Sequence, residues 1–343
     1  MEPLPYHRPM KRLLPFLIVP VTSLLAADPA PLPEFKVGFD RVDPAFDKLV
    51  PASAVIEKCA EGFNWSEGPT WFQNAIVFSD VPENIIYKWT PGDKAAAIFM
   101  KPSGMLKPTE GFREQGSNGL GTDAQGRLLI CQHGERRVAR VEKDGTQTSL
   151  ADKFEGKRFN SPNDLALRKN GDIYFTDPPY GLDKLNDSPL KELPFNGVFR
   201  IAADGKVTAV VKDLTFPNGI ALSPDEKILY VAVSDSKHTN VMAYEIQPDG
   251  SVAQGREFFN AETTKKPGRK GGCDGMKVDQ SGNIFTTGPG GVLVISPAGK
   301  LLGTILTGQQ TGNCAWGDDG STLYICADMY LCRVKTATKG AGW

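Results

Sequence analysis

Six related motifs recur along the chain, and this repetition constrains the fold more than any other feature. Each copy opens with an oxygen-bearing polar residue, usually followed by glycine, and continues through alternating apolar residues, a turn and a β-rich run. The opening residues are spaced by 39 to 56 positions: Glu67, Asn118, Asn163, Asn218, Asp274 and Asn313. Repeats of this length with strand-like content are typical of β-propellers, in which each repeat forms one blade.

Each repeat carries the turn and strand signals of four antiparallel strands. In the third copy, Lys169-Asn170-Gly171-Asp172 is a turn signal and residues 173–176 are a β-rich run. The outer parts of several repeats contain hairpin pairs such as Asp144-Gly145, and no long amphipathic helix is evident. The sequence therefore predicts an all-β fold, a six-bladed β-propeller of four-stranded antiparallel blades, over residues 55–336, with a tail at 337–343.

The first 54 residues lack the repeat and predict an export signal followed by an arm. The export signal combines a basic pair, an apolar stretch and a small-residue cleavage site: Lys11-Arg12, residues 13–25 and Ala26-Ala27. We therefore expect a signal peptide over 1–28, with Met10 as an alternative start, and a Pro-rich arm over 29–54. A short membrane anchor is disfavoured because the apolar stretch is too short. No later apolar run is long enough to span a membrane, so a periplasmic or secreted location is expected.

Charge and residue counts exclude several other classes of protein. A net charge of −1 argues against a nucleic-acid partner, which would require a basic surface. Only three histidines are present, which excludes a His-rich zinc site, and no nucleophile elbow, phosphate loop or dinucleotide fingerprint occurs. Among the six cysteines, Cys131 and Cys326 fall in apolar runs and are expected to be buried. Cys326 and Cys332 flank a hairpin turn, so a disulfide between them is a possible alternative.

The six opening residues predict a ring of oxygen ligands. The innermost strand of each propeller blade starts beside the central channel, so these residues are expected to circle one end of it. Carboxylate and carboxamide oxygens suit Ca²⁺ or Mg²⁺, with Zn²⁺ or Mn²⁺ as alternatives. Glu67 and Asp274 would supply two negative charges. The second strand of each blade returns to the same end, where we expect an outer shell: Asp80, His133, Asp177, Asp235 and Asp328.

A simpler interpretation of these residues has to be considered. Asn-Gly and Asp-Gly are common turn dipeptides, so the signal is their recurrence at matched positions and not any single pair. Asn118 and Asn313 would then bond only backbone groups, and the outer-shell residues would be turn caps. Two segments exceed the repeat, 178–196 and 260–272, and both are expected at the rim.

Four of the motifs, together with one further segment, resemble a known family. They are Ser66-Glu67-Gly68-Pro69, Ser161-Pro162-Asn163-Asp164, Phe216-Pro217-Asn218-Gly219, Cys273-Asp274-Gly275-Met276 and Phe175-Thr176-Asp177-Pro178-Pro179-Tyr180-Gly181. Over roughly residues 51–334 the chain resembles the gluconolactonase and senescence marker protein (regucalcin) family, and the last segment resembles its bacterial gluconolactonase branch.

The resemblance implies a site for one divalent cation, most often calcium. Its ligands are a Glu, two Asn and an Asp, which correspond by motif to Glu67, Asn163, Asn218 and Asp274. Asn118 is similar to a pore-lining residue of the bacterial members. Some members carry a substrate-binding Arg two residues before the first Asn ligand, where this chain has Ser161.

These expectations combine into a metal-dependent lactonase that hydrolyses a sugar lactone, such as gluconolactone, to the aldonic acid. Asp274 is expected to serve as both ligand and general base. The expected substrate contacts are Asn118, His133, Tyr180 and Asp177. Two alternatives are an esterase or organophosphate hydrolase using the same metal site, and a non-catalytic module in which calcium only stiffens the pore.

Overall fold

A computed structural model describes residues 37–343, and six antiparallel sheets arranged as propeller blades account for nearly all of its regular structure. The described part of the chain contains no α-helix and has three short 3-10 helices: Pro44–Lys48, Leu185–Asp187 and Ala261–Thr264. The predicted all-β, six-bladed propeller is confirmed. The proposed signal peptide lies outside the described residues.

The strands are numbered in chain order, with β1 (Gly38–Arg41) and β2 (Ile56–Glu61) preceding the first blade. Blade one contains β3 (Ser66–Phe72), β4 (Ala75–Asp80), β5 (Ile85–Trp89) and β6 (Ala97–Met100). Blade two contains β7 (Ser117–Thr122), β8 (Leu128–Gln132), β9 (Arg137–Val141) and β10 (Gln147–Ala151). A small hairpin follows, β11 (Lys153–Phe154) with β12 (Lys157–Arg158).

The third to sixth blades follow the same plan. Blade three contains β13 (Leu165–Leu167), β14 (Ile173–Asp177), β15 (Asn196–Ile201) and β16 (Val207–Leu214). Blade four contains β17 (Pro217–Leu222), β18 (Ile228–Val233), β19 (Asn240–Glu245) and β20 (Arg256–Asn260). Blade five contains β21 (Met276–Val278), β22 (Ile284–Gly288), β23 (Gly291–Ile295) and β24 (Leu301–Leu306), and blade six contains β25 (Asn313–Gly317), β26 (Thr322–Ala327) and β27 (Tyr330–Lys335).

Both ends of the described chain contribute to the last two blades. Strand β2 pairs antiparallel with β27, with Ile56 opposite Val334, and so completes blade six. Strand β1 pairs with β24 and gives blade five a fifth strand. The arm continues into the first 3-10 helix, where Phe46 is completely buried. Residues 38–48 of the predicted arm are therefore packed against the propeller.

The hydrophobic core lies between neighbouring blades, because each sheet is covered on both faces by the adjoining sheets. All six residues of β4 and all six of β26 are buried, which explains why residues 75–78 and 323–327 are apolar runs without alternation. Aromatic pairs fill the space between sheets. Phe159 meets the rings of Phe175 and Phe199 edge-on, at centroid distances of 5.1 and 5.0 Å.

Two further expectations concern the state of the cysteines and the presence of a membrane-spanning helix. All six cysteines are buried and free, as expected for Cys131 and Cys326. The possible disulfide between Cys326 and Cys332 is not formed, because the register places Cys326 opposite Leu331 and Cys332 opposite Ile325. Among residues 37–343, no helix has the length and apolar character needed to cross a membrane.

Candidate active site

One end of the central channel opens into a cavity of about 630 Å³, and five of the six ring residues line it. They are Glu67, Asn118, Asn163, Asn218 and Asp274. The first four are at most 4% exposed, whereas Asp274 is partly exposed to the cavity. Residues more than 200 positions apart in the sequence are thus brought together around one axis, as the repeat predicted.

Interruptions of strand pairing turn three of these side chains towards the channel. The β3–β4 register breaks between Glu67 and Thr70, and the β17–β18 register breaks between Pro217 and Ile220. The β7–β8 pair breaks at the same place, just around Asn118. Such irregularities change the direction of a side chain that would otherwise follow the pleat. Asn163 and Asp274 lie just before the first residues of β13 and β21, outside the regular ladders.

The glycines that follow ring residues allow close packing between neighbouring blades and are not there to form turns. A Cβ on Gly219 would lie 2.0 Å from the carbonyl oxygen of Asp274, and one on Gly68 would lie 1.9 Å from that of Asn118. At these two positions the backbone of the next blade therefore packs directly on the glycine, and the Gly219 N–H donates to the Asp274 carbonyl at 3.1 Å. The interpretation of these pairs as ordinary turn dipeptides is wrong, because only glycine allows this close approach.

Asn313 belongs to a second layer below the cavity. It pairs regularly with Cys326, so nothing redirects its side chain towards the opening. Its Nδ2 donates to Glu67 Oε2 at 3.1 Å and to Asp164 Oδ2 at 3.2 Å. Asp164 is 1% exposed and was not among the predicted site residues. Together Asn313 and Asp164 form a polar floor that supports Glu67.

Burial and mutual repulsion dominate the electrostatics of the ring. Burial, and then the neighbouring Asp164 carboxylate, raise the pKa of Glu67 to about 7. Burial raises the pKa of Asp274 well above its ordinary range, and the adjacent Glu67 carboxyl raises it further. Two neighbouring buried carboxyls without a compensating positive charge are unfavourable when both are ionised. This is the arrangement that a bound cation stabilises.

The remaining polar groups also fit a hard divalent cation. Asn118 Oδ1 is buried and has no hydrogen-bond partner within residues 37–343. Asn218 Nδ2 donates to Ser234 Oγ at 2.9 Å, which leaves the amide oxygen of Asn218 as the group available to a ligand. No cluster of three or more His, Cys, Asp or Glu side chains in this part of the chain is arranged to hold a metal. A metal site here would therefore require the carboxamide oxygens.

Comparison with known proteins places the chain in a family. The model of the SMP-30/Gluconolactonase/LRE-like region matches residues 65–328. A gluconolactonase from Zymomonas mobilis subsp. mobilis is 41% identical over 314 residues, which cover 88% of this chain and 86% of that protein. The chain belongs to the SMP-30/gluconolactonase/LRE-like family.

Solved structures of other family members share the fold. A putative gluconolactonase has a TM-score of 0.77 and 34% sequence identity, covering 89% of this chain and all of that one. A gluconolactonase from Xanthomonas campestris has a TM-score of 0.77 and 29% identity, covering 89% of this chain and 97% of that one. The propeller and its repeat order are thus those of the family.

Asp177 braces the site and does not face the cavity. It is completely buried, and its carboxylate accepts the N–H groups of Asn160 at 2.7 Å and Ser161 at 2.8 Å. These residues lie just before Asn163, so Asp177 fixes the loop that delivers that side chain. The placement contradicts the prediction of Asp177 as a substrate contact. Burial raises the pKa of Asp177 to about 7, while the two N–H donors favour its ionised form.

Asp80 has the same role in the first blade. Its two oxygens accept the N–H groups of Asn64 at 3.1 Å and Trp65 at 3.2 Å, just before Glu67. Asp235 and Asp328 do line the cavity. Asp235 Oδ1 accepts the N–H of Lys237 at 2.9 Å, as a turn cap does. The predicted outer shell therefore divides into braces for ring residues and residues at the mouth of the cavity.

We expect Asp177→Ala to lower the free energy of unfolding by about 3 kcal/mol, because two buried N–H groups lose their acceptor. Urea unfolding measures this loss. Asp177→Asn keeps one acceptor oxygen and is expected to cost about half as much. A cost below about 0.5 kcal/mol for the alanine variant, the level of an ordinary surface substitution, would show that Asp177 does not brace the loop.

His133 is also behind the cavity wall, contrary to its prediction as a substrate contact. It is completely buried, and neither ring nitrogen has a hydrogen-bond partner in the described structure. Burial, together with the nearby Arg113 guanidinium, lowers its pKa to about 3. His133 is therefore neutral at physiological pH and packs as an uncharged ring. Tyr180, by contrast, lines the cavity as expected and stacks on Phe216 with ring centroids 5.7 Å apart.

The buried His133 predicts a pH dependence of stability. Unfolded His133 titrates near its ordinary value of about 6.5, whereas the folded residue resists protonation until about pH 3. The unfolded state thus binds the extra proton between these values, so the free energy of unfolding falls as the pH decreases through this window. From pH 7 to 5.5, His133 alone should cost about 1 kcal/mol.

Urea unfolding of the wild type and His133→Gln at both pH values isolates this contribution from that of the carboxyls. The variant should lose about 1 kcal/mol less than the wild type over the same interval. Equal losses in the two proteins would mean that folded His133 takes up a proton in this range.

Proposed function

We propose that this protein is a divalent-cation-dependent lactonase whose substrate is a sugar lactone of the gluconolactone type. Its gluconolactonase relatives support a lactone-hydrolysing hydrolase. The observation that carries the cation dependence is the convergence of the Glu67, Asn163, Asn218 and Asp274 side chains on one cavity at the end of the channel. A cavity of about 630 Å³ lies above them, within the size range of small-molecule sites.

Glu67, Asn163, Asn218 and Asp274 would hold the cation, for which calcium is the first candidate because all four side chains offer oxygen ligands. A cation bound there would supply a Lewis acid for the lactone carbonyl and the positive charge that keeps Asp274 ionised. Asp274 is the ring carboxyl that is partly exposed to the cavity, so it is the one that can also reach a water molecule.

In the proposed reaction Asp274 removes a proton from the water molecule that attacks the lactone carbonyl carbon. The bond between the carbonyl carbon and the ring oxygen then breaks, Asp274 passes the proton to the ring oxygen, and the product is the open hydroxy acid. Asn118 Oδ1, buried and without a partner among residues 37–343, is placed to accept a hydrogen bond from the substrate. Tyr180 offers an aromatic surface on the lining of the same cavity.

We also infer export to the periplasm or the medium, from the basic, apolar and small-residue pattern within residues 1–28. Expression in a bacterial host with sequencing of the mature N-terminus tests this inference. Cleavage near Ala27 is the expected result, and an intact N-terminus in the cytoplasmic fraction would contradict it.

Acid release from a panel of lactones by the purified protein tests the activity. We expect glucono-1,5-lactone to be hydrolysed, the rate to be lost with a chelator, and calcium to restore it. An aryl ester and an organophosphate in the same panel separate the lactonase from the alternative hydrolases. Absence of acid release from every lactone with calcium present would refute the proposed activity.

A further inference from the structure

The segment between the first two blades, residues 101–116, has no regular strand but is held firmly in place. The side-chain oxygen of Asn84 accepts three consecutive N–H groups, those of Ser103, Gly104 and Met105, at 3.0, 2.7 and 3.1 Å. Asn84 Nδ2 donates in turn to the Met105 carbonyl at 2.9 Å. The first part of the segment is thus wrapped around a single side chain.

The second part is joined to the loop that carries Tyr180. The N–H groups of Arg113 and Glu114 donate to the Gly181 carbonyl at 3.0 and 3.3 Å. Gly181 is itself held by Ser161, whose Oγ accepts the Gly181 N–H at 2.9 Å. Ser161 is completely buried in this role. The segment 101–116 and the loop that carries Tyr180 are therefore fixed to each other. Together they place Glu114 and Tyr180 on the lining of the same cavity.

The Glu114 side chain has unused hydrogen-bonding capacity in this position. It lines the cavity with only 15% of its side chain exposed, and its Oε1 lies 2.8 Å from Arg113 Nη2. Its Oε2 lies 3.8 Å from His133 Nδ1, beyond hydrogen-bond distance. Because His133 is buried and neutral, the partly exposed Arg113 is the cation paired with this carboxylate within residues 37–343. A carboxylate oxygen accepts up to two hydrogen bonds, so Oε2 remains available to a ligand.

We propose that Glu114 is a specificity-determining residue that selects lactones bearing free hydroxyl groups, by accepting a hydrogen bond from a substrate hydroxyl while Arg113 orients its carboxylate. The inference rests on the proposed lactonase function and assigns to this chain a residue outside the ring. A site built to bind a hydroxyl group disfavours the analogue that lacks it, because the protein group is then buried without a partner.

The test compares two six-membered lactones, glucono-1,5-lactone and δ-valerolactone, which lacks the hydroxyl groups. We expect Glu114→Ala to lower kcat/KM for gluconolactone about 100-fold and Glu114→Gln about tenfold, the range for a hydrogen bond to a charged group. Both should change kcat/KM for δ-valerolactone by less than about threefold, because that substrate never makes the bond. Glu110→Gln is the matched control, since Glu110 is an exposed residue of the same segment.

The outcomes separate this inference from the function on which it rests. A selective loss on gluconolactone supports the assigned role. Equal losses on both lactones, or no loss on either, overturn it while leaving the lactonase activity established. A wild-type protein inactive on both lactones with calcium present overturns the proposed function and the inference together. Thermal unfolding of the Glu114→Gln variant excludes a general loss of structure as the cause.

Discussion

Asp274→Asn is expected to lower kcat/KM for lactone hydrolysis about 1,000-fold or more, because the change removes the proposed general base and one proposed charged ligand in a single step. Gly219 contacts the backbone carbonyl of residue 274, so that contact is retained, and asparagine has nearly the same shape as aspartate. The measurement is steady-state acid release with calcium in excess. Asp204→Asn is the control, since Asp204 lies in the exposed β15–β16 turn.

The same variant should keep its stability in the absence of divalent cations. The Glu67 carboxyl raises the pKa of Asp274, so the charge on Glu67 opposes ionisation of Asp274. A neutral amide at 274 relieves that repulsion, and the thermal midpoint without calcium should equal or exceed that of the wild type. Turnover by Asp274→Asn at the wild-type rate would show that Asp274 is not the base.

Removing divalent cations from the wild type is expected to abolish turnover and lower its thermal midpoint by several degrees. A ligand at about 100 times its Kd stabilises the folded state by about 2.7 kcal/mol, and each kcal/mol moves the midpoint of a large domain by about 2–4 °C. The measurement is thermal unfolding and acid release in chelator, then with calcium added back.

Glu67→Gln provides the matched comparison for this effect. It retains an oxygen acceptor for the Asn313 amide, which donates to Glu67 at 3.1 Å, but removes one negative charge from the ring. The calcium-induced rise in its midpoint should largely disappear. A wild-type midpoint and rate that chelator leaves unchanged would rule out the cation dependence.

The recurrence of one motif was sufficient to predict the fold and five of the residues that line the cavity, and the structure shows why. In the four copies where a glycine follows the opening residue, that glycine is required because the neighbouring blade packs directly on it, as at Gly219. The close packing between neighbouring blades is therefore visible in the sequence as a glycine at the matching position of the repeat. Nothing comparable marks the closing strand β2, whose role depends on a partner more than 250 residues away.

The polar floor of the site was missed, although the sequence contained a signal for it. In the third and sixth copies the glycine is replaced, by Asp164 and by Cys314. Those two copies supply the hydrogen-bonded pair Asp164 and Asn313 beneath the ring. The replacement of glycine distinguishes these two blades in the sequence. Only the register of β25 shows that Asn313 keeps its regular pairing with β26 and does not turn towards the cavity.

The roles of Asp177 and His133 could not be derived from the sequence, because they depend on which side of a strand end each side chain occupies. As predicted, His133 directly follows the second strand of blade two, and Asp177 is the last residue of the second strand of blade three. Asp177 turns back to bind the N–H groups before Asn163, and His133 is enclosed behind Glu114. Glu114 itself lies outside the repeat, so the periodic pattern offered no means of finding it.

The central claim is that side chains from four blades together bind one divalent cation. Calorimetric titration of cation-free protein with calcium, carried out on the wild type and on Glu67→Gln, tests it most directly. We predict one calcium ion bound per wild-type chain and at least a tenfold weaker affinity in the variant, since a charged ligand is lost. Absence of binding to the wild type, or equal affinity in the two proteins, would contradict the claim.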